Sequence, residues 1–541
     1  MATNSENVDV LIVGAGFAGL YMLHKLRECG FSPKVVEAGS GVGGTWFWNR
    51  YPGARCDIPS IEYSYSFSPE LEQEWRWTER YATQPEILRY LEHVAERFDL
   101  MRDITLNTRV TSAHWDDASA TWAVETDRGD TFTAQYLVLG TGSLSKPKTP
   151  DLPGLENFSG EILHTALWDA SADINGKRIA VFGTGSSGIQ VIPQLARAAS
   201  ELTVFQRTPN FAVPSNNRAL SDEEFAGSMA VLPENREAAR HSPLGFFSSS
   251  REGQAKLASE PDRAQRFEEQ WQAGTTGMLM AYEDLLFDED SNALASQFVR
   301  EKIAAIVQDP DKVRKMSPEY PLGSRRMCSE IEFYSTMAQP GVALVDVREE
   351  PLVTIGADTI TTTGGSYPAD VIVFATGFDA CIGAIKAIDI RGLGNKSLRD
   401  EWTTGLRAYL GLAVSGFPNM FTVTGPGSPS VLSNVVLSIE QHVDWIAQCL
   451  TDLRESGLRR IEATAEAESA WMVHTDQVAH QTLFPRADSW YKGRTSDGRE
   501  VFMPYVGGVG AYRATCDAVA ADNYRGFTLG SAPAQPAGKD S

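Results

Sequence analysis

The sequence predicts an α/β protein with two Rossmann-like dinucleotide-binding domains and a helical insertion in the second. Three observations predict it. Two glycine-rich turns, Gly14-Ala15-Gly16-Phe17-Ala18-Gly19 and Gly183-Thr184-Gly185-Ser186-Ser187-Gly188, begin 169 residues apart. Each follows a short apolar run, Val8 to Val13 and Ile179 to Phe182, and each precedes a strand ending in charge, Glu37 in the first case and Arg207 in the second. From about Ser215 to Pro318 the chain turns charged and helical, without strand signals.

In a βαβ unit the first glycine makes the tight turn, the second admits a pyrophosphate and the third lets helix pack on strand. Gly14, Gly16 and Gly19 fill these places in the first unit, and Gly183, Gly185 and Gly188 in the second, where Ser186 opens the helix. The pyrophosphate then rests on the helix N-terminus. Glu37, eighteen residues after Gly19, accepts hydrogen bonds from ribose hydroxyls and repels a 2′-phosphate; Arg207, nineteen after Gly188, pairs with one. Two different dinucleotides are expected, the second phosphorylated. FAD with NADPH is the economical pair for electron transfer.

The run 43–53 is rich in glycine and aromatics and reads as a loop beside a ligand. Tyr136 to Leu139 and Val371 to Phe374 are short strands running into Gly140-Thr141-Gly142 and Ala375-Thr376-Gly377, junctions that admit close backbone approach. Within the insertion, Ala295, Phe298, Val299, Ile303, Ile306 and Val307 share one helical face, closed by Pro310. Strand-like sequence returns at Val342 to Val347. The expected domains are 1–145 with 381–529 for FAD, 146–214 with 319–380 for NADPH, 215–318 as the helical insertion, and 530–541 as a disordered tail rich in Pro, Ala, Gly and Ser.

A formal charge of −22 disfavours nucleic acid and anionic membrane surfaces as partners. The six cysteines stand far apart with no CxxC pair, so neither a metal site nor a redox disulfide is expected. No leader-like N-terminus and no apolar run of about eighteen residues occurs. A cytoplasmic protein without membrane or obligate protein partner is the expectation.

Between the two glycine turns lies Phe158-Ser159-Gly160-Glu161-Ile162-Leu163-His164-Thr165-Ala166-Leu167-Trp168-Asp169. It resembles the fingerprint of type I Baeyer–Villiger monooxygenases, FxGxxxHxxxW followed by Pro or Asp, with Phe158, Gly160, His164, Trp168 and Asp169 at the defined positions. The resemblance runs from Val8 to about Leu529 and includes Gly43-Gly44-Thr45-Trp46, the run from Arg50 to Asp57, Phe205-Gln206-Arg207-Thr208-Pro209 and Gly425-Pro426-Gly427-Ser428-Pro429-Ser430. The wording around Asp57 and Ser430 is similar to the phenylacetone monooxygenase branch.

That resemblance implies an FAD- and NADPH-dependent enzyme that uses O₂, through a peroxyflavin and a tetrahedral adduct, to turn ketones into esters or lactones, with sulfoxidation as a further activity. It implies a catalytic pair, Arg326 as the fixed cation beside developing negative charge and Asp57 as the carboxylate that orients it. Arg325 stands where the family has lysine on the NADPH 2′-phosphate; charge is kept but the fork geometry differs. Gly44, Thr45, Trp46, Asp57 and Thr208 are implied in cofactor binding, and Trp490 in a mobile loop closing over the nicotinamide. The run after Trp490, Gly493 to Arg499, departs from the family pattern and is shorter by one residue. Ser430, Val431, Leu432 and Val435 match pocket-shaping positions, although core packing accounts for the same residues.

Two enzyme alternatives and one non-enzyme alternative compete. A flavin monooxygenase oxygenating nitrogen or sulfur shares both glycine turns, and Trp168 with Arg326 argue against it. A flavin disulfide reductase needs a cysteine pair that the sequence lacks. A flavin-binding regulatory module would bind flavin without NADPH-driven turnover.

Overall fold

Leu11, Ile12 and Val13 have apolar neighbours on both faces, which is the pattern of a strand buried inside a parallel sheet. The computed structural model describes residues 5–247, 252–494 and 500–531. Its strands are, in chain order, β1 (Ser5–Val13), β2 (Pro33–Val36), β3 (Ile104–Thr105), β4 (Val110–Asp116), β5 (Thr121–Thr126), β6 (Thr131–Leu139), β7 (Glu161–His164), β8 (Arg178–Phe182), β9 (Glu201–Gln206), β10 (Ala212–Pro214) and β11 (Cys328–Glu330). They continue with β12 (Val342–Asp346), β13 (Leu352–Ile355), β14 (Thr359–Thr362), β15 (Ser366–Pro368), β16 (Val371–Phe374), β17 (Asp389–Arg391), β18 (Met420–Thr422), β19 (Arg460–Ala463), β20 (Lys492–Arg494), β21 (Glu500–Phe502) and β22 (Phe527–Gly530).

Two sheets carry the architecture. The first runs β17-β4-β5-β6-β1-β2-β3, with β18 laid parallel on the Leu137–Leu139 end of β6 where β5 has left off. The second is all parallel, β12-β9-β8-β16-β7. In each, the glycine turn leaves the strand that pairs with the charge-bearing strand: Val13 lies opposite Val36 and Phe182 opposite Phe205. The helix Phe17–Glu28 follows the first turn and Ser186–Ala198 the second.

Among its described residues, the segment 215–318 forms five helices, Asp222–Ala230, Leu232–His241, Glu260–Ala273, Glu289–Val307 and Pro310–Met316, with 3₁₀ turns at Ala255–Leu257 and Thr275–Met280. Ala295, Val299, Ile303 and Val307 are buried as the periodicity predicts, but Ile306 is exposed. The stripe is narrower than expected, and Pro310 opens the next helix after Gln308 turns left-handed at φ 61°.

Two further expectations shift. The run 43–53 contains one helical turn, Thr45–Trp48, because burying the adjacent Trp46 and Phe47 needs the chain to curl. Gly530, counted with the tail on composition, pairs with Arg460 at the end of β22, and residues 532–541 lie outside the described residues. All six cysteines are unpaired. Among the described residues there is no cluster suited to a metal and no helix long and apolar enough to cross a membrane.

Candidate active site

The two glycine turns repeat one construction. Gly14 (φ 102°) and Gly183 (φ 110°) sit where a Cβ would lie 2.7 Å from the Gly140 carbonyl oxygen and 2.5 Å from that of Ala375. A Cβ on Gly19 or Gly188 would meet the Gly14 or Gly183 carbonyl oxygen at 1.8 and 2.2 Å, so the helices close down onto the turns only with glycine there. The strand junctions singled out in the sequence are therefore the floors of the two turns. The middle glycines face outward: a Cβ on Gly16 would meet the Gly44 Cα at 3.3 Å, and one on Gly185 only the Asn210 Nδ2, at 3.8 Å. Neither helix N-terminus is capped by a side chain, which leaves backbone N–H groups aimed at each cradle. Both cradles fit a pyrophosphate.

Glu37 is 5 % exposed; Oε2 accepts from the Ala15 N–H at 2.7 Å and Oε1 from that of Gly39 at 2.6 Å. It braces the first turn, and each oxygen keeps a second acceptor position for a ribose hydroxyl. Arg207 is exposed at the end of β9 with no ion-pair partner among the described residues. Next to it, the Thr208 carbonyl accepts from Thr184 Oγ1 at 3.3 Å. Arg325 lies over the Tyr320 ring, 5.4 Å from its centroid.

Asp57 and Arg326 meet across 269 residues of sequence. Nε and Nη2 of Arg326 donate to the carboxylate, Nε to Oδ2 at 3.0 Å and Nη2 to Oδ1 and Oδ2 at 2.8 Å each. Nη1 donates to the Val431 carbonyl oxygen at 2.7 Å. A guanidinium has five N–H donors, so at least one on Nη1 is left over. The pair is not sealed: the Arg326 side chain is 32 % exposed and that of Asp57 20 %. Asp57 is the main reason the guanidinium is held even more firmly protonated than usual, against the opposing effect of burial.

Backbone pairing fixes this meeting. Arg326 stands two residues before β11, whose Cys328 N–H donates to the carbonyl of Phe211, the residue just before β10. Asp57 follows a loop tied by Cys56 N–H to the Ala82 carbonyl and by Gln84 N–H to that of Ala54. Val431 lies in the 3₁₀ turn Ser430–Leu432, where Ser430 is left-handed at φ 42°, a conformation a serine adopts only under constraint. Ser430 and Val431 are buried, while Leu432 and Val435 are half-buried. Leu432 packs with Phe484, Tyr491 and Phe502, and Val435 joins the main core.

The fingerprint sits elsewhere. His164 Nδ1 accepts from the Ala166 N–H at 3.0 Å and its Nε2 faces the Lys148 carbonyl at 3.4 Å, so the ring ties the end of β7 to the chain between the sheets. Burial lowers its pKa. Gly160 is needed because a Cβ would lie 2.2 Å from the Asp370 carbonyl oxygen and against the Phe158 ring. Trp168 packs on the core under the second sheet, and Asp169 is exposed, accepting from the Ser171 N–H and Oγ. Trp490 is half-buried with its ring 4.6 Å from that of Tyr491. Trp46 is buried with its indole N–H on the Tyr63 hydroxyl, and Thr45 is exposed. Thr495 to Arg499 lie outside the described residues.

Sequence reasoning missed two members, Tyr491 and Gln190, and at Val431, which it placed among the pocket-shaping residues, it missed the role. Val431 reaches Arg326 through its carbonyl, which leaves no side-chain signature. Tyr491 is buried close enough to Arg326 and Asp57 to feel both charges. Gln190 hydrogen-bonds the loop before Asp57, and its only signal was a polar residue among core positions of its helix.

A family model described as pyridine nucleotide-disulphide oxidoreductase matches residues 11–221. A solved structure of an oxidized steroid monooxygenase bound to NADP is 47 % identical, covering 97 % of this chain and all of that one, with a TM-score of 0.93. A Baeyer-Villiger monooxygenase of Pseudooceanicola batsensis is 38 % identical over 96 % of both chains. A phenazine N-monooxygenase of Lysobacter antibioticus is 40 % identical over 98 % of both. The two glycine turns, the paired Asp57 and Arg326 and this full-length likeness agree, and the chain belongs to the FAD- and NADPH-dependent Baeyer–Villiger monooxygenases, enzymes that use O₂ to insert one oxygen atom beside a ketone carbonyl.

Proposed function

We propose that this chain oxygenates hydrophobic ketones at the point where Asp57, Arg326 and the Val431 carbonyl meet. The observation that carries the reading is the leftover Nη1–H on a guanidinium whose other donors are committed. Bound flavin would pass the electrons drawn from NADPH to O₂, which is the source of the inserted oxygen atom. Arg326 offers a fixed positive charge and a free donor to an oxygen that becomes negative as the carbonyl is attacked; preorganised donors of this kind are each worth about 10²–10³ in rate. Asp57 is a positioning residue, fixing the guanidinium plane through a side-on bidentate pair. Leu432, half-buried beside Val431, is an apolar side chain that suits a hydrophobic substrate.

The cradle at Gly16 and Gly44, with Glu37, is assigned to FAD, and that at Gly185, with Arg207, Thr208 and Arg325, to NADPH. The domain division 1–145 with 381–529 and 146–214 with 319–380 goes with that assignment, supported by β17 and β18 joining the first sheet. Six unpaired thiols suit a reducing cytoplasm. A second reading, oxygenation of a ring nitrogen, is favoured by the phenazine N-monooxygenase relative. The Arg326→Ala enzyme decides between roles: it should bind flavin and be reduced by NADPH yet form no ester. Ester formation at the parent rate would refute the assignment.

A further inference from the structure

Asp57 is held by a loop that another side chain has in its grip. The Gln190 amide makes three hydrogen bonds to that loop: Oε1 accepts from the Tyr51 hydroxyl at 2.8 Å and from the Arg55 N–H at 3.4 Å, and Nε2 donates to the Arg55 carbonyl at 3.1 Å. Arg55 stands two residues before Asp57. Gln190 itself lies one turn into the helix Ser186–Ala198, four residues after Ser186, at the end that faces the second cradle. The Tyr51 hydroxyl is buried and also interacts with Ser187 in the first turn of the same helix. At Gly53 the two segments touch so closely that a Cβ would lie 2.7 Å from the Gln190 carbonyl oxygen. Further along, Arg55 Nη1 is fixed by Glu79 at 2.9 Å and the Tyr81 carbonyl at 3.0 Å, so the loop is rigid on its far side too.

We infer that Gln190 is a positioning residue that couples the dinucleotide on the second cradle to the Asp57–Arg326 pair. The helix that would hold the NADP pyrophosphate and the loop that holds Asp57 share one amide, so a shift of the helix on filling or emptying the cradle would pass through three hydrogen bonds to the loop, and through Asp57 to the guanidinium. Misplacement by about 1 Å at a reacting group costs up to about 10²-fold in rate. The latch thus keeps oxygen transfer to the ketone ahead of wasteful release of hydrogen peroxide. This inference rests on the role proposed above for Arg326.

The test uses flavin-loaded Gln190→Leu and Tyr51→Phe enzymes, with NADPH oxidation, ester and hydrogen peroxide measured together. Gln190→Leu should lower ester formed per NADPH about tenfold and Tyr51→Phe about threefold, a loss of about 1.4 and 0.7 kcal/mol, with hydrogen peroxide making up the difference. The KM for NADPH and the anaerobic rate of flavin reduction should stay within about twofold, a split that general loosening would not give. Gln190→Glu keeps the acceptors for Tyr51 and the Arg55 N–H but sets an anionic oxygen against the Arg55 carbonyl where the donor was, so it should not restore parent coupling. If Gln190→Leu fails to hold flavin, Tyr51→Phe decides. Parent-like coupling in a flavin-loaded Tyr51→Phe enzyme overturns the latch. Parent-like ester formation in Arg326→Ala would instead overturn the reading on which it depends.

Discussion

Replacing Asp57 with asparagine keeps the shape of the side chain and removes its charge. In the structure the carboxylate accepts from both Nε and Nη2 of Arg326, at 2.8 to 3.0 Å. Charge-assisted hydrogen bonds contribute about 1.5–3 kcal/mol each when buried. Here the two side chains are 32 % and 20 % exposed, so solvent recovers a good part of that. We take about 2 kcal/mol as the lost restraint on the guanidinium, which corresponds to about 30-fold in the rate of ester formation. An asparagine also turns its own N–H₂ toward donors, so the fork cannot be satisfied from both sides. The assay is steady-state ester formation from a hydrophobic ketone, alongside anaerobic stopped-flow reduction of the flavin by NADPH. Ester formation should fall about 30-fold with reduction little changed, and Asp57→Asn combined with Arg326→Ala should cost little more than Arg326→Ala alone, because the two act as one unit. An Asp57→Asn enzyme within threefold of the parent, or one whose reduction slows as much as its oxygenation, would refute the reasoning.

Two further predictions concern the second cofactor and pH. Arg207→Ala should raise the KM for NADPH at least about tenfold and leave that for NADH nearly unchanged; equal changes would show that Arg207 does not read the 2′-phosphate. Glu62 is buried, and burial pushes its pKa up to about 7 despite the Phe247 N–H donated to it. A carboxyl with a raised folded pKa stabilises the fold below the ordinary carboxylate range and loses that contribution as pH rises toward 7. Glu62→Gln should therefore gain stability over the parent, by about 2–3 kcal/mol, between about pH 5 and pH 8. Denaturant midpoints of both proteins at the two pH values check this, and a pH-independent difference would contradict it.

The cofactor frame was legible because its requirements are local. A turn that must clear a neighbouring carbonyl by less than a Cβ leaves only glycine, at Gly14, Gly19, Gly183 and Gly188, and the sequence displays that directly. Glu37 and Arg207 followed from spacing to the end of the second strand. Glu37 nevertheless carries a second duty, bracing Ala15 and Gly39, which position alone does not announce. The chemistry was legible only through resemblance, since Asp57, Arg326 and Val431 come from three distant segments and no spacing rule joins them. Val431 contributes a carbonyl that any residue would offer, and Gln190 reads as one more polar position on a helix. The exposed Ile306 shows the opposite failure, a periodic residue whose face the core does not reach.

The most direct test of ketone oxygenation at Arg326 follows the oxygen atom. Purified enzyme, NADPH and a panel of linear, cyclic, aromatic and steroidal ketones are incubated under isotopically labelled dioxygen, and products are weighed by mass spectrometry. We expect an ester or lactone carrying one labelled oxygen per molecule, absent in Arg326→Ala. Labelled N-oxide from an aromatic nitrogen base, with no labelled ester from any ketone, would contradict the account.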